Sequence, residues 1–142
     1  MIPLHRVSAF ADSPFSGNPA AVCLLQQWLA DEAMQAIARE NALSETAFCI
    51  GRGLACYDLR WFSPETEVDL CGHATLAAGH VVMDQEPGLT KVSFTTRSGL
   101  LTVEKAGSRL AMSLPARPGT PLHDDAVAGL FPDTPLALVS AG

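Results

Sequence analysis

The sequence predicts an α+β lobe, in which a curved, mostly antiparallel sheet or half-open barrel wraps around one central buried helix. Three observations predict it. The stretch from Cys71 to Met83, CGHATLAAGHVVM, has no dominant polar face, and a helix apolar on nearly every side has to be enclosed by other protein. Short strand-like runs flank it on both sides, three of them in succession after it. One other clear helical pattern precedes it, is amphipathic, and is therefore peripheral. A sheet curled around the apolar helix is the simplest way to hide it.

The elements follow in order. Residues 3 to 10, PLHRVSAF, read as a first strand with Leu4, Val7 and Phe10 as its apolar positions. In ADSPFSGNP, the residues Asp12, Ser13, Pro14, Ser16, Gly17, Asn18 and Pro19 are all turn formers. Ala20 to Leu25, AAVCLL, is a short apolar strand. Ala30, Ala33, Met34, Ile37 and Ala38 recur at helical spacing. Asp31 and Glu32 suit the first turn of that helix, which should end near Asn41. NALSETAFCI (41–50) turns from helix to strand, and Tyr57 to Phe62 is its expected hairpin partner across Gly51 to Gly53. SPETEVD (63–69) is a polar turn into the central helix. Lys91–Thr96, Gly99–Lys105 and Arg109–Leu114 form a meander, with turns at Arg97-Ser98-Gly99 and Ala106-Gly107-Ser108. Pro115 to Pro121 reads as a linker, Asp124 to Leu130 as a short helix and Leu136 to Val139 as a strand.

Composition narrows the function classes. A chain of 142 residues, 48% hydrophobic and 17% charged, suits one globular domain with a real core. Its net charge of -6 leaves no basic stripe for nucleic acid, and no Lys/Arg run suggests an anionic membrane surface. No apolar run is long enough to span a bilayer. MIPLHRVSAF is too short and polar for a signal peptide, so the expected compartment is the cytoplasm. Cys23, Cys49, Cys56 and Cys71 contain no CxxC pair and read as buried thiols of an intracellular protein rather than a disulfide scaffold.

The start of the central helix gathers chemistry. Cys71, Gly72 and His73 bring together a thiol, an unshielded amide and an imidazole. The first amides of a helix lack internal partners and carry partial positive charge. With no side chain at Gly72, a small anion such as a carboxylate can approach closely, so this end is expected to face a substrate. Glu45, in LSETAF, is either a general acid/base whose charged form is disfavoured at the mouth of an apolar strand, or a solvated strand-end carboxylate. His73 either shuttles a proton or bonds a local carbonyl. Cys71 is either a thiol activated by the helix end or a small buried hydrophobe. Cys71, His73, His80 and Asp69 are potential metal ligands, but the two histidines are separated by two turns, roughly 10 Å of rise. The usual zinc spacings are missing, so no metal is expected. His5 and His123 have no motif around them and read as surface or structural. Gly17-Asn18-Pro19 is either a ligand-binding loop, through its amides or the Asn18 side chain, or a plain turn. GxGxxG, Walker A, GxSxG and HExxH motifs do not occur.

Four stretches in order, AFADSPFSGNPAAV, MQAIARENALSETAF, LRWFSPETEVDLCGHATLAA and SLPARP, together resemble the phenazine biosynthesis-like (PhzF-like) isomerase/epimerase family. The resemblance implies the diaminopimelate-epimerase-like fold: two similar lobes, each a barrel of strands around a helix, with the active site between them. It implies catalysis without a metal, nucleotide or pyridoxal cofactor. Glu45 of the SET segment is then the catalytic acid/base, which in the phenazine enzyme moves a proton on a cyclic dihydro-hydroxyanthranilate. Asn18, Cys71, Gly72, His73 and Ala74 are the implied substrate-binding positions. Cys71 also matches one of the two catalytic cysteines of true diaminopimelate epimerases. Those carry an asparagine after CG, where this chain has His73, as in the PhzF-like branch.

Family chains are about twice this length, and the acidic DPATG-like segment of the second lobe does not occur in these residues. The expected organisation is an N-terminal lobe over 1–118, with 119–142 as linker and start of the crossover. The expected function is a cofactor-independent isomerase/epimerase acting through Glu45 on a small carboxylate-bearing substrate, its site completed by a second lobe or a homodimer. The alternatives are a non-catalytic half-length lobe that binds a small anion or partner subunit, and a thiol-based epimerase using Cys71.

Overall fold

A computed structural model of the chain describes residues 2–13 and 15–115, together with the backbone of residues 120–121 and 139–140. Strand β1 (Leu4–Ala9) pairs antiparallel with β2 (Asn18–Leu25). Helix α1 (Asp31–Asn41) carries the chain across to β3 (Glu45–Gly53), which lies parallel to β2. Strand β4 (Cys56–Phe62) is antiparallel to β3 and pairs at Trp61 and Phe62 with the two-residue β5 (Glu67–Val68). Helix α2 (Gly72–Gln85) then crosses to β6 (Lys91–Thr96), parallel to β4. β7 (Gly99–Ala106) and β8 (Arg109–Ser113) complete the meander. The order is β1-β2-β3-β4-β6-β7-β8, and both parallel joints are the ones a helix bridges, as parallel pairing requires. Apart from this sheet, β9 (Thr120–Pro121) pairs with β10 (Val139–Ser140).

The two helices occupy opposite faces of the middle strands. Inside the curve, α2 buries Ala74, Ala77, Ala78, Val81, Val82 and Met83 against Val22, Cys49, Trp61, Val92, Phe94 and Val103. Outside it, Met34 and Ala38 of α1 pack on Cys23, Phe48 and Phe62. Strands covered on both faces need apolar residues at successive positions, which is why AAVCLL and TAFCI do not alternate. Arg60 clamps the outer layer: its guanidinium holds Glu67 in two bonds of 2.6 and 2.8 Å, reaches Asp31 of α1 at 2.9 Å and stacks over Trp28 and Phe62. Arg97, in the β6–β7 turn, adds a second cation to Glu67 at 2.8 Å.

Close approach dictates one glycine in α2. A Cβ at Gly79 would sit 2.7 Å from Val103 Cγ1 and 2.8 Å from its Cβ, so the helix lies this near β7 only because residue 79 is bare. The helix stops at Glu86 because Pro87 follows and drives that residue into an extended conformation, φ -117 and ψ 82.

Several expectations are corrected. Leu4 and Phe10 point outward and are exposed, while the partly or fully buried positions of β1 are His5, Val7 and Ala9. Phe10 adopts a left-handed φ of 58, which ends the strand before it. The β3–β4 turn falls at Leu54-Ala55, not at Gly51 to Gly53; those glycines stay within β3, where the register shifts. The polar segment after β4 contains β5, and α2 runs two residues past Met83. Cys56 is exposed, unlike the other three cysteines. The helix expected at 124–130 lies outside the described residues; of the strand expected at 136–139, Val139 falls in β10.

The barrel stays open between β1 and β8, whose outer edges have no strand partner among the described residues. A cavity of about 480 Å³ marks that seam, lined by Val7 to Asp12, by Leu76, Ala77 and His80 of α2, and by Ser108 to Leu110. Among the described residues no helix is long and apolar enough to cross a membrane.

The packing of α2 on β7 is testable. Overpacking costs about 1–3 kcal/mol, and the helix propensity gained by alanine returns about 1 kcal/mol. Gly79→Ala should therefore lower unfolding stability, by up to about 2 kcal/mol in urea melts. In combination with Val103→Ala the penalty should shrink, giving a favourable coupling energy in the double-mutant cycle.

Candidate active site

Glu45 owes its position to the way α1 hands over to β3. Ala42 ends the helix in a left-handed conformation, φ 50. The Asn41 side chain then donates to Thr46 Oγ1 at 3.0 Å, and Thr46 is completely buried. Glu45 is thus the first residue of a strand whose next five are buried. It lies opposite Ala20 in the parallel β2–β3 register. Asn18 opens β2 at the same end of the sheet, where its Oδ1 accepts a hydrogen bond from Ser44 Oγ at 3.4 Å.

The second half of the site is the start of α2. Cys71 is its extended N-cap, φ -141 and ψ 110. Its carbonyl accepts from both the amide and the hydroxyl of Thr75, at 3.2 and 2.6 Å. This fixes the first turn and turns the thiol back toward the imidazole: Sγ lies 3.4 Å from His73 Nδ1. On its other side the ring places Nε2 3.2 Å from Glu45 Oε2. The His73 side chain is 10% exposed and that of Glu45 20%. Although so close, these two atoms are not aligned as a hydrogen bond. They are two of only three buried side-chain polar atoms without a hydrogen-bond partner among the described residues, the third being Trp61 Nε1. Buried polar atoms are nearly always satisfied. Two neighbouring exceptions that face one another are a place where a ligand atom or water would complete the bonding.

The thiol is not activated. Burial pushes Cys71 up to about 12. The amide of Ala74 pulls it down, the Glu45 carboxylate raises it further, and the His73 amide adds a smaller downward pull. Desolvation outweighs the helix end, which favours the buried-hydrophobe reading of Cys71 over the activated thiol. At Gly72 a Cβ would meet Met112 Cε at 3.3 Å and Leu114 Cδ1 at 3.9 Å, so the bare position also lets the helix start pack against the end of β8. Ala74 is fully buried, and its amide is directed at the Cys71 sulfur, so its methyl presents nothing to a substrate. In the GNP turn, Gly17 has φ +88, and a Cβ there would lie 2.4 Å from Ala9 O; the glycine is what lets this loop close before Asn18.

The structure thus unites Glu45, Cys71 and His73, with Asn18 at the same sheet end. It separates His80, which is exposed in the seam between β1 and β8. His5 is tied to Gln85, at 3.1 Å, and His123 lies outside the described residues. The seam cavity is not this site, since none of Glu45, Cys71 and His73 lines it. Thr75 and the Asn41–Thr46 pair were not anticipated. A threonine four residues after the helix cap was the available signal for the first, and an asparagine at a helix end for the second.

Residues 7–127 match the family model of phenazine biosynthesis-like proteins. The chain is 56% identical over 117 residues to a *Pseudomonas aeruginosa* protein named as an uncharacterised isomerase, an alignment that covers 82% of this chain and 45% of that one. Among solved structures, a PhzF-family phenazine biosynthesis protein from *Enterococcus faecalis* superposes with a TM-score of 0.75 at 42% identity, covering 89% of this chain and 50% of that one. A PhzC/PhzF protein from *Clostridium difficile* gives 0.81 at 40%, covering 99% and 54%. The chain spans about half the length of the relatives it matches.

The buried thiols leave a pH signature. Unfolded thiols ionise near 9.0, whereas Cys71 holds its proton to about 12 and Cys23 to about 11. The folded state keeps protons that the unfolded state sheds, so stability should fall as pH rises from 9 toward 12. Each such thiol contributes a slope of at most about 1.4 kcal/mol per pH unit. Melting curves followed through this range should show the loss, and Cys71→Ser should make it shallower.

Proposed function

Because the chain belongs to the phenazine biosynthesis-like family, we propose that it is one lobe of a cofactor-independent isomerase or epimerase in which Glu45 moves a proton on a small carboxylate-bearing substrate. One observation carries this reading: Glu45 Oε2 and His73 Nε2 lie 3.2 Å apart, buried and without hydrogen-bond partners, at the start of α2. A carboxylate in that position can take a proton from a substrate carbon and return it elsewhere. The adjacent imidazole can donate to the substrate or steady the charge that develops on it. The Asn18 side chain, at the same end of the sheet, is a polar contact for the substrate's edge. The substrate carboxylate is assigned to the helix start, where the partial positive charge of the α2 N-terminus favours an anion.

Thiol chemistry is the weaker reading. A nucleophilic or basic cysteine works as its thiolate, and Cys71 retains its proton to about 12. Relatives named as isomerases are about twice as long as this chain, so the opposite wall of the cleft is assigned to a second lobe or a second copy. The open seam between β1 and β8, with Phe10 68% exposed at its edge, is consistent with a lobe that meets further protein.

Incubated in D2O with a cyclic dihydro-hydroxyanthranilate, the assembled protein should incorporate deuterium into the substrate. Glu45→Gln should slow that exchange by at least about 100-fold, the usual weight of a general acid/base, with its melting temperature nearly unchanged. Cys71→Ser should retain most of the rate. Exchange that survives in Glu45→Gln but vanishes in Cys71→Ser would transfer the chemistry to the thiol.

A further inference from the structure

We propose that Glu45, Cys71 and His73 form a binding site for a thiophilic divalent cation, Zn²⁺ or Co²⁺, and that this metal and turnover exclude one another. The expectation of no metal rested on His73 and His80, which are too far apart along one helix. Glu45 takes the place of His80: one donor atom from each of Glu45, Cys71 and His73 lies within 4.8 Å of the others. Tetrahedral zinc, with bonds of about 2.0–2.3 Å, needs donor separations of about 3.4–3.6 Å. Cys71 Sγ and His73 Nδ1 already stand 3.4 Å apart. The remaining adjustment falls on the Glu45 side chain, whose Oε2 would leave its 3.2 Å contact with His73 Nε2 and swing toward the Nδ1 side of the ring, with no aligned hydrogen bond at Oε2 to break. The His73 side chain is nine-tenths buried, so the ring is held in place.

The donor chemistry selects the ion. Sulfur, imidazole nitrogen and one carboxylate oxygen suit Zn²⁺ and its analogues, while Mg²⁺ and Ca²⁺ want oxygen alone. Three protein ligands leave a fourth position for water or a substrate oxygen. On binding, the thiol proton passes to buffer and the thiolate ligates the metal. Exclusion of turnover rests on the assignment of Glu45 as the acid/base, since a carboxylate bound to metal cannot exchange protons with a substrate carbon. Metal binding itself does not rest on that assignment.

Titration of the metal-free chain with Co²⁺ separates the two. One equivalent should produce a near-ultraviolet thiolate-to-cobalt band and the strong visible bands of four-coordinate cobalt, and Mg²⁺ should neither produce nor compete with them. Cys71→Ser should abolish the thiolate band. His73→Ala and Glu45→Gln should each weaken binding by at least about tenfold. Cys56→Ser, which removes the exposed thiol, should leave the titration unchanged. Absence of the band, its survival in Cys71→Ser, or its loss in Cys56→Ser would overturn the site. If the bands behave as expected but Zn²⁺ leaves deuterium exchange untouched, the exclusion of turnover is overturned while the metal site stands.

Discussion

The structure depends on the need to enclose α2. A fourteen-residue helix whose buried residues include Ala74, Ala77, Ala78, Gly79, Val81, Val82 and Met83 leaves water only a narrow stripe along Leu76, His80 and Asp84. Burial of apolar area is worth about 25 cal/mol per Å², and only a surface that curves can deliver it on several sides at once. The sheet therefore bends from β1 to β8 around the helix. Small residues in α2 set how tight the wrap can be, with no room for a methyl group between Gly79 and Val103. The same curvature gives the middle strands a convex outer face, which α1 covers, and the Arg60–Glu67–Asp31 cluster ties that layer together.

Enclosure also sets the chemistry at the helix start. A helix N-terminus would favour a thiolate, but at Cys71 removal from water is the larger effect and the thiol stays protonated. Glu45 and His73 are less deeply placed and keep unfilled hydrogen-bonding capacity. The same burial that quiets the sulfur as a base or nucleophile thus leaves the carboxylate and the imidazole as the groups available to a substrate. The cavity in the seam belongs to the other consequence of wrapping, since a sheet that curls without closing leaves two edges and a stripe of helix uncovered.

Much of this was readable beforehand because it is local. The buried helix, the amphipathic α1 with Met34 and Ala38 on its inner face, and the β6–β8 meander follow from periodicity and turn residues within short windows. The errors were also local ambiguities. Leu4 and Phe10, read as apolar positions of the first strand, face outward; apolar side chains alone do not say which face of an edge strand is covered. Gly51 to Gly53 looked like the hairpin turn because glycine marks bulges as well as turns; the chain reverses at Leu54-Ala55, where Ala55 takes the left-handed conformation.

By itself the sequence determined the apolar rod, the strands that sheathe it and the residue types at its start, since these depend on hydrophobic pattern and backbone preference over a few residues. Only the tertiary structure decided that Glu45 meets His73 and Cys71. The approach joins the mouth of β3 to the start of α2, with Glu45 and Cys71 standing 26 positions apart in the sequence, and no local pattern encodes such a distance. The state of the thiol was likewise decided by folding. Solvation and the field of neighbouring groups set its proton affinity, and both come into being only when the sheet closes over it.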